Sequence, residues 1–225
     1  MILGASKIGK SEFLAQEDRG LFIETEAGLN FLKVFKVPTR SWEDVRNTYA
    51  ALKALPVDKP FPYSMLAIDT IDRFVDLAEE EIVNRGRDFY KSIANQINSI
   101  GDIPNGGGWS KTRELVMGAI SKFEEFPCAI ALIGHLTIKK IEEGARKYDK
   151  STISLWASMG NDILAWADHT LHIEAHIIGD KLVRTVWSIP TQSREAGSRG
   201  NIIPNGWRWS DNAKENWMTL RKLFV

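Results

Sequence analysis

The chain has 225 residues, of which 44% are hydrophobic and 26% charged, a composition typical of a globular protein. Lysine plus arginine equals aspartate plus glutamate at 29 each, so the zero net charge excludes a global attraction to nucleic acid or membranes. Any such binding has to come from a local patch. The single cysteine, Cys128, excludes an internal disulfide framework and suits a cytoplasmic protein. No apolar run is long enough to span a bilayer, so we expect no membrane association.

The first motif begins at Gly4, where GASKIGKS matches the pattern G-x-x-x-x-G-K-S. Its glycines let backbone N–H groups turn toward phosphate oxygens, and a helix predicted from Lys10 to Gln16 adds its positive N-terminal end. Lys10 is expected to reach the β and γ phosphates of ATP, and the Ser11 hydroxyl to bind Mg²⁺. Only Met1 to Leu3 precede the motif, so we expect neighbouring strands on both sides to hold this short strand. The predicted ATP-binding residues are Gly4, Ala5, Ser6, Lys7, Ile8, Gly9, Lys10, Ser11 and Glu12.

Apolar runs alternate with helical patterns along the rest of the chain. Buried strands are predicted at Leu21–Ile23, Met65–Ile68 and Cys128–His135, and helices from Ser41, over Arg73–Arg85 and over Lys111–Glu125. A short helix, two strands joined at Gly179-Asp180, a polar loop and an amphipathic tail helix follow. This alternation is typical of a parallel sheet covered on both faces. The predicted fold class is therefore α/β, a mostly parallel sheet flanked by helices with a late antiparallel extension, in a single domain over 1–225.

Two segments are predicted to lack regular structure. Residues 99–110 contain Pro104 and three consecutive glycines and form the clearest predicted loop. Residues 139–150 are rich in charge and show little periodicity.

Polar residues follow several of the predicted strands, whose carboxyl ends meet at one edge of a parallel sheet. Asp69 suits a Walker B carboxylate that binds Mg²⁺ through water, or a cap of the next helix, and Asp72 is the alternative for either role. Glu24 and Glu26 are both candidates for the carboxylate that orients an attacking water molecule. His135 is a candidate contact of the γ-phosphate, or a satisfied histidine at a strand end.

The order of these motifs resembles the core of the RecA-type recombinases: G-x-x-x-x-G-K-S, LFIETEAGLN, LAIDTID, a glycine-rich loop, ALIGH and GNDILAWADHTLHI. Over nearly the whole chain, it is most similar to short RecA-like ATPases of bacteriophages, the single-strand annealing proteins of the Sak-four class. The resemblance implies a RecA-like P-loop core that hydrolyses ATP with Mg²⁺, binds single-stranded DNA and forms homo-oligomers with ATP at subunit interfaces. It implies the host cytoplasm as the location and makes a single-strand-binding protein a candidate partner.

The resemblance also assigns roles to residues. It selects Glu26 over Glu24 as the catalytic glutamate, matches Asp69 to the Walker B aspartate, and places His135 where recombinases couple nucleotide state to DNA binding. In the loop TQSREAGSRG, Arg194 and Arg199 are candidates for an arginine that acts in the neighbouring subunit's ATP site, and Arg199 is included among the catalytic residues. The candidate DNA-binding residues are Trp109, Lys111, Arg113, Lys139, Lys140, Arg146 and Lys147.

Two other functions stay open at this stage. A small-molecule or nucleotide kinase would use the loop around Arg194 and Arg199 as a lid over an acceptor pocket. A non-hydrolysing adaptor would use nucleotide only to gate the recruitment of another protein.

Overall fold

A computed structural model of the protein describes residues 1–144 and 146–224. The strands, in chain order, are β1 (Ile2–Gly4), β2 (Gly20–Glu24), β3 (Phe35–Pro38), β4 (Met65–Asp69), β5 (Ala129–Gly134), β6 (Leu136–Glu143), β7 (Arg146–Ile153), β8 (His169–Ile178), β9 (Lys181–Trp187), β10 (Gly197–Ser198) and β11 (Trp207–Trp209). The helices are α1 (Lys10–Leu14), α2 (Trp42–Lys53), α3 (Ile71–Phe89), α4 (Gly107–Phe123), α5 (Ala157–Trp166) and α6 (Ala213–Arg221).

The chain divides into two compact units, one of residues 19–130 and one of the residues before and after them. The expected single domain stays a prediction.

The unit of residues 19–130 is built on three parallel strands in the order β4-β2-β3. β2 and β4 are buried throughout, as their continuous apolar runs predict. Their register sets Glu24 level with Asp69, so the two strands end together. The predicted helix start is confirmed, because Ser41 and Asp44 form a reciprocal capping box at the start of α2.

The other unit has the strand order β11-β9-β8-β1-β5. Ile2 and Leu3 of β1 form parallel pairs with β5 on one side, and all three residues of β1 pair with β8 on the other, which confirms the expected support of this short strand. β8 and β9 form an antiparallel hairpin that turns at Gly179, and β11 pairs with β9 in the antiparallel sense. The predicted late antiparallel extension is therefore confirmed.

The helices follow the sequence patterns closely. α3 extends beyond the predicted Arg73–Arg85 at both ends, and α5 and α6 match the predicted short helix and the amphipathic tail. Crossing a bilayer needs a long and apolar helix, and no helix in the described part of the chain has both properties.

Residues 99–110 do not form the loop that their glycines predict. Two 3-10 turns between Ile100 and Gly106 lead directly into α4, which therefore begins before Lys111. A Cβ atom added to Gly108 would lie 2.0 Å from the carbonyl oxygen of Ile100. The glycine run thus allows the start of a helix to approach the preceding backbone closely.

Residues 139–150 also differ from the expected segment of little periodicity. Residues 139–143 and 146–150 belong to β6 and β7, which form an antiparallel two-stranded sheet. Successive residues of a strand point to opposite faces, so Lys139 and Lys140 place charge on both faces of this hairpin. Because both faces carry charged residues, the sequence lacks the alternation of apolar and polar residues that identifies a strand.

The sequence patterns predict neither the edge strand β3 nor the short strands β10 and β11. The residues of β3 are exposed or half-buried, and the strand ends at Pro38. Proline and exposed charge are common on edge strands and weaken the apolar pattern of a strand.

Candidate nucleotide-binding site

The loop between β1 and α1 contains the G-x-x-x-x-G-K-S motif. Gly9 has a φ angle of 103° and Lys7 one of 61°, so two residues of the loop adopt the left-handed conformation. A Cβ atom on Gly4 would lie 3.0 Å from Cγ2 of Ile8 and 3.3 Å from the carbonyl oxygen of Ile173. Both glycines are therefore required by the fold, and the loop is curled as a phosphate-binding loop must be.

The side chain of Lys10 lies inside this curl. Lys10 is only 5% exposed, and its Nζ donates hydrogen bonds to the carbonyl oxygens of Gly4 and Ala5, both at 2.8 Å. Charged phosphate oxygens bind an ammonium group more strongly than neutral carbonyls do, so a triphosphate can replace these two partners. Ser11 is half-buried and Glu12 exposed in the first turn of α1. The residues of the loop thus fit the phosphates of ATP.

Two side chains that the sequence patterns did not single out lie beside Gly9. Nη1 of Arg184 in β9 and the ring of Trp209 in β11 are each 3.6 Å from the position of a Cβ atom on Gly9. Trp209 also stacks on Phe13 of α1, with ring centroids 4.9 Å apart. Arg184 therefore adds a cation next to the loop. Because β9 also contains Lys181 and Thr185, its sequence pattern does not single out Arg184.

In the unit of residues 19–130, hydrogen bonds join the ends of β2 and β4. Thr25 donates from Oγ1 to the carbonyl oxygen of Thr70 at 2.9 Å, and the backbone N–H of Thr70 donates to Thr25 Oγ1 at 2.7 Å. Asp69 is 7% exposed at the end of β4, the position expected of a Walker B carboxylate, and the Asp69–Thr70 peptide bond is cis. Thr70 is the N-cap of α3, so neither Asp69 nor Asp72 has that role.

Glu24 and Glu26 have different environments. The carboxylate of Glu24 is buried and forms ion pairs with Lys36 at 3.0 Å and with Arg40 at 3.5 Å. Glu26 is exposed beyond the end of β2, and its Oε1 accepts a hydrogen bond from Thr70 Oγ1 at 3.0 Å. Glu24 therefore holds two nearby cations, whereas Glu26 is accessible to water.

Asp72 lies beside Glu26. The Thr70 hydroxyl is 3.1 Å from Oδ2 of Asp72, and oxygens of the two carboxylates lie within 4.8 Å of one another. Carboxylate oxygens and water are the ligands that Mg²⁺ prefers. The acidic side chains Glu26, Asp69 and Asp72 in this unit therefore have the donor chemistry that a magnesium ion requires.

The two candidate arginines are both engaged within the chain. Nε of Arg194 lies 3.0 Å from Oε1 of Glu174, its guanidinium lies 4.0 Å from the ring centre of Trp187, and the side chain is 15% exposed. Arg199 forms an ion pair with Asp168 at 2.6 Å but stays 68% exposed. Of the two, Arg199 is the more exposed to solvent.

The first group of candidate DNA-binding residues lies on α4 rather than in a loop. Trp109 is 41% exposed in the first turn of α4, and Arg113 is exposed one turn further along. Nζ of Lys111 lies 6.0 Å from the ring centre of Phe89.

The second group lies on the hairpin of β6 and β7, which follows the half-buried His135. Lys139 donates from Nζ to the carbonyl oxygen of Leu155 at 2.8 Å and is half-buried. The exposed candidates on this hairpin are Lys140, Arg146 and Lys147.

A family model described as an AAA domain matches residues 1–200. The chain is also similar to the solved structure of a KaiC-like protein from the hyperthermophilic archaeon Pyrococcus horikoshii, with a TM-score of 0.53 and 13% identity over 95% of this chain and 85% of that one. No curated protein matches the chain. At this identity the structural likeness concerns the fold, which is that of the RecA-like P-loop proteins. Because the family model matches most of the sequence, the chain belongs to the AAA domain family of P-loop ATPases.

Proposed function

We propose that the protein hydrolyses ATP with Mg²⁺, that single-stranded DNA stimulates this hydrolysis, and that the protein acts in annealing or recombination of bacteriophage DNA in the host cytoplasm. The observation that carries the ATPase part is the curled loop around the Lys10 ammonium group. The Sak-four resemblance of the motif order carries the DNA part.

Each residue of the site has a role in this proposal. Lys10 exchanges the carbonyl oxygens of its own loop for β- and γ-phosphate oxygens. Ser11 and Asp69 would hold Mg²⁺, which neutralises charge on the phosphates. Glu26 accepts a hydrogen bond from the attacking water and orients it, while the Thr70 hydroxyl limits the rotation of the Glu26 carboxylate.

Single-stranded DNA would bind through local cationic patches, because the net charge is zero. The exposed cations of the β6–β7 hairpin suit phosphate contacts, and the exposed ring of Trp109 suits stacking on a base. A single-strand-binding protein stays a candidate partner.

Assembly into homo-oligomers with ATP between subunits is part of the proposal. The end of the β8–β9 hairpin exposes Ile177 to 77%, Ile178 to 58% and Leu182 to 55%. Neighbouring exposed apolar side chains of this kind favour a protein interface. Arg199 is the side chain that we assign to the neighbouring ATP site.

The test is the rate of ATP hydrolysis with and without an oligothymidylate, and with a panel of nucleosides and nucleotides as phosphoryl acceptors. We expect stimulation by the oligothymidylate and loss of turnover in Lys10→Met, which keeps most of the aliphatic stem. Stimulation by an acceptor alone would establish a kinase instead. If the protein binds ATP tightly without hydrolysing it, and Glu26→Gln leaves this binding unchanged, the result would establish a non-hydrolysing adaptor.

A further inference from the structure

A concave apolar surface lies between α2, α3 and α4, all within the unit of residues 19–130. It encloses a cavity of about 760 Å³, to which the buried side chains of Val45, Ile82 and Phe123 contribute. Leu115 lines the wall, and Phe89 at the edge is 77% exposed. We propose that this groove, which has no part in the proposed ATPase site, binds an acidic peptide segment with apolar side chains from a partner protein.

The rim of the groove is cationic. The charged residues that line it are Arg46, Arg85, Lys111, Lys122 and Glu114. Both arginines pair with Glu81, at 2.9 Å and 2.8 Å, and are partly neutralised. The two lysines instead lie over aromatic rings, 6.0 Å from the centre of Phe89 and 5.7 Å from that of Tyr49. Within the described chain neither lysine forms an ion pair, and each can accept a carboxylate partner. Glu125, whose pKa is lowered first by its hydrogen bond from Lys53, is also under the influence of the Lys122 charge.

The spacing of these lysines sets the size of the occupant. Lys111 and Lys122 lie eleven positions apart on α4, which corresponds to about 16 Å along the helix. Leu115, Gly118 and Ala119 line the wall between them. An extended peptide of about five residues spans this length. The carboxylates of the peptide would pair with Lys111 and Lys122 at the two ends of the groove. Its apolar side chains would fill the space between these lysines.

This arrangement favours a peptide over single-stranded DNA. A DNA backbone has a phosphate at every nucleotide and needs a continuous track of cations. Here an apolar wall separates the two cations that lack ion pairs, and burial of apolar side chains against this wall would supply most of the binding free energy. The carboxylates would provide orientation and faster association.

Two substitutions test the groove without touching the nucleotide site. Gly118→Leu fills the groove from its wall, and the fold accommodates it because no atom lies within 4 Å of a Cβ atom at Gly118. Leucine also favours helix more than glycine does. Lys122→Glu reverses one rim charge, and Lys59→Glu, at an exposed position outside the groove, is its matched control. Lys111 is left unchanged because it is also a candidate DNA contact.

The measurement is fluorescence anisotropy with fluorescein-labelled synthetic peptides in which acidic residues flank a short aromatic and aliphatic stretch at several spacings. Amide versions of the same peptides and a labelled oligothymidylate are the comparison probes. We expect saturable binding of the acidic peptides that weakens with salt, falls about tenfold or more in Gly118→Leu and Lys122→Glu, and is unchanged in Lys59→Glu. The ATPase rate of all three variants should equal that of the parent protein.

Three results would overturn the proposal. The first is no saturable binding of any peptide of the panel. The second is peptide binding that neither groove variant weakens. The third is oligothymidylate binding that Gly118→Leu abolishes, because it would assign the groove to nucleic acid.

Discussion

Replacing Glu24 and Glu26 by glutamine, one at a time, separates a carboxylate that holds the fold from one that we assign to catalysis. The side chain of Glu24 is 3% exposed, pairs with Lys36 and Arg40, and accepts the backbone N–H of Leu29 at 3.2 Å. Glu26 is exposed and is held by one hydrogen bond from a hydroxyl group. The same substitution should therefore lower the stability of the protein at position 24 and lower the turnover of ATP at position 26.

The stability change at Glu24 follows from these contacts. Glutamine keeps an oxygen for the N–H of Leu29 but loses the charge that faces the two cations. A hydrogen bond to a charged group is worth about 1.5–3 kcal/mol, and breaking a fully buried ion pair costs about 3–5 kcal/mol. Lys36 and Arg40 are 25% and 48% exposed, so water replaces part of the loss. We therefore expect Glu24→Gln to lose about 2–3 kcal/mol, which lowers the Tm by about 4–12 °C for a chain of this size.

Glu26→Gln should leave the fold unchanged. An exposed substitution that keeps a hydrogen-bond acceptor changes stability by less than about 0.5 kcal/mol. Loss of a group that orients and polarises water lowers turnover by about 10²–10⁴-fold. The assays are thermal unfolding followed by circular dichroism, ATP turnover, and binding of a fluorescent ATP analogue, which Glu26→Gln should retain. A stable but inactive Glu24→Gln, together with an active Glu26→Gln, would refute the assignment.

Gly108→Ala should lower the free energy of unfolding by about 1–3 kcal/mol in denaturant titrations, because its Cβ atom would lie 2.0 Å from the carbonyl oxygen of Ile100. The thiol of Cys128, whose pKa burial raises to about 11 from 9.0, should react with iodoacetamide about 100-fold more slowly than a free cysteine at pH 8, as followed by mass spectrometry. Ile177→Lys should prevent ATP-dependent assembly, measured by analytical ultracentrifugation, because it places charge in the proposed interface.

Each of these predictions has a control within the same chain. Gly107→Ala should be tolerated, since its Cβ atom would make only an ordinary contact of 3.8 Å with Ile103; equal losses for both alanines would contradict the packing argument. Cys128 should react at the ordinary rate in denaturant, and a fast reaction in the native protein would exclude the raised pKa. Val57→Lys, at a fully exposed position, should leave assembly unchanged, and unaltered assembly of Ile177→Lys would exclude that interface.

The features that sequence patterns predict well are those set by local chemistry. β2 and β4 are recognisable because they are buried on both faces and are therefore continuous apolar runs. The start of α2 is recognisable because Ser41 and Asp44 satisfy each other's backbone groups. The phosphate loop is recognisable because its curl demands glycine at fixed spacing.

Other features depend on residues that are distant in sequence. Glu24 rather than Glu26 forms ion pairs because the fold brings Lys36 and Arg40 to Glu24. Arg184 reaches the phosphate loop only because β9 pairs with β8, which in turn pairs with β1. The groove of α2, α3 and α4 likewise arises from the packing of three helices, and no single helix contains its pattern.

The shortness of β1 determines which other residues control the phosphate loop. Ile2 pairs with Ile133 and with Leu171, so each side of this strand is held by residues from far along the chain. We infer that the amide hydrogens of β1 exchange with solvent only when β5 or β8 opens. Substitutions at Ile133 or Leu171 would therefore change the affinity for ATP although both residues lie outside the motif. They would do so by weakening the pairing of β1, the strand from which the phosphate loop extends.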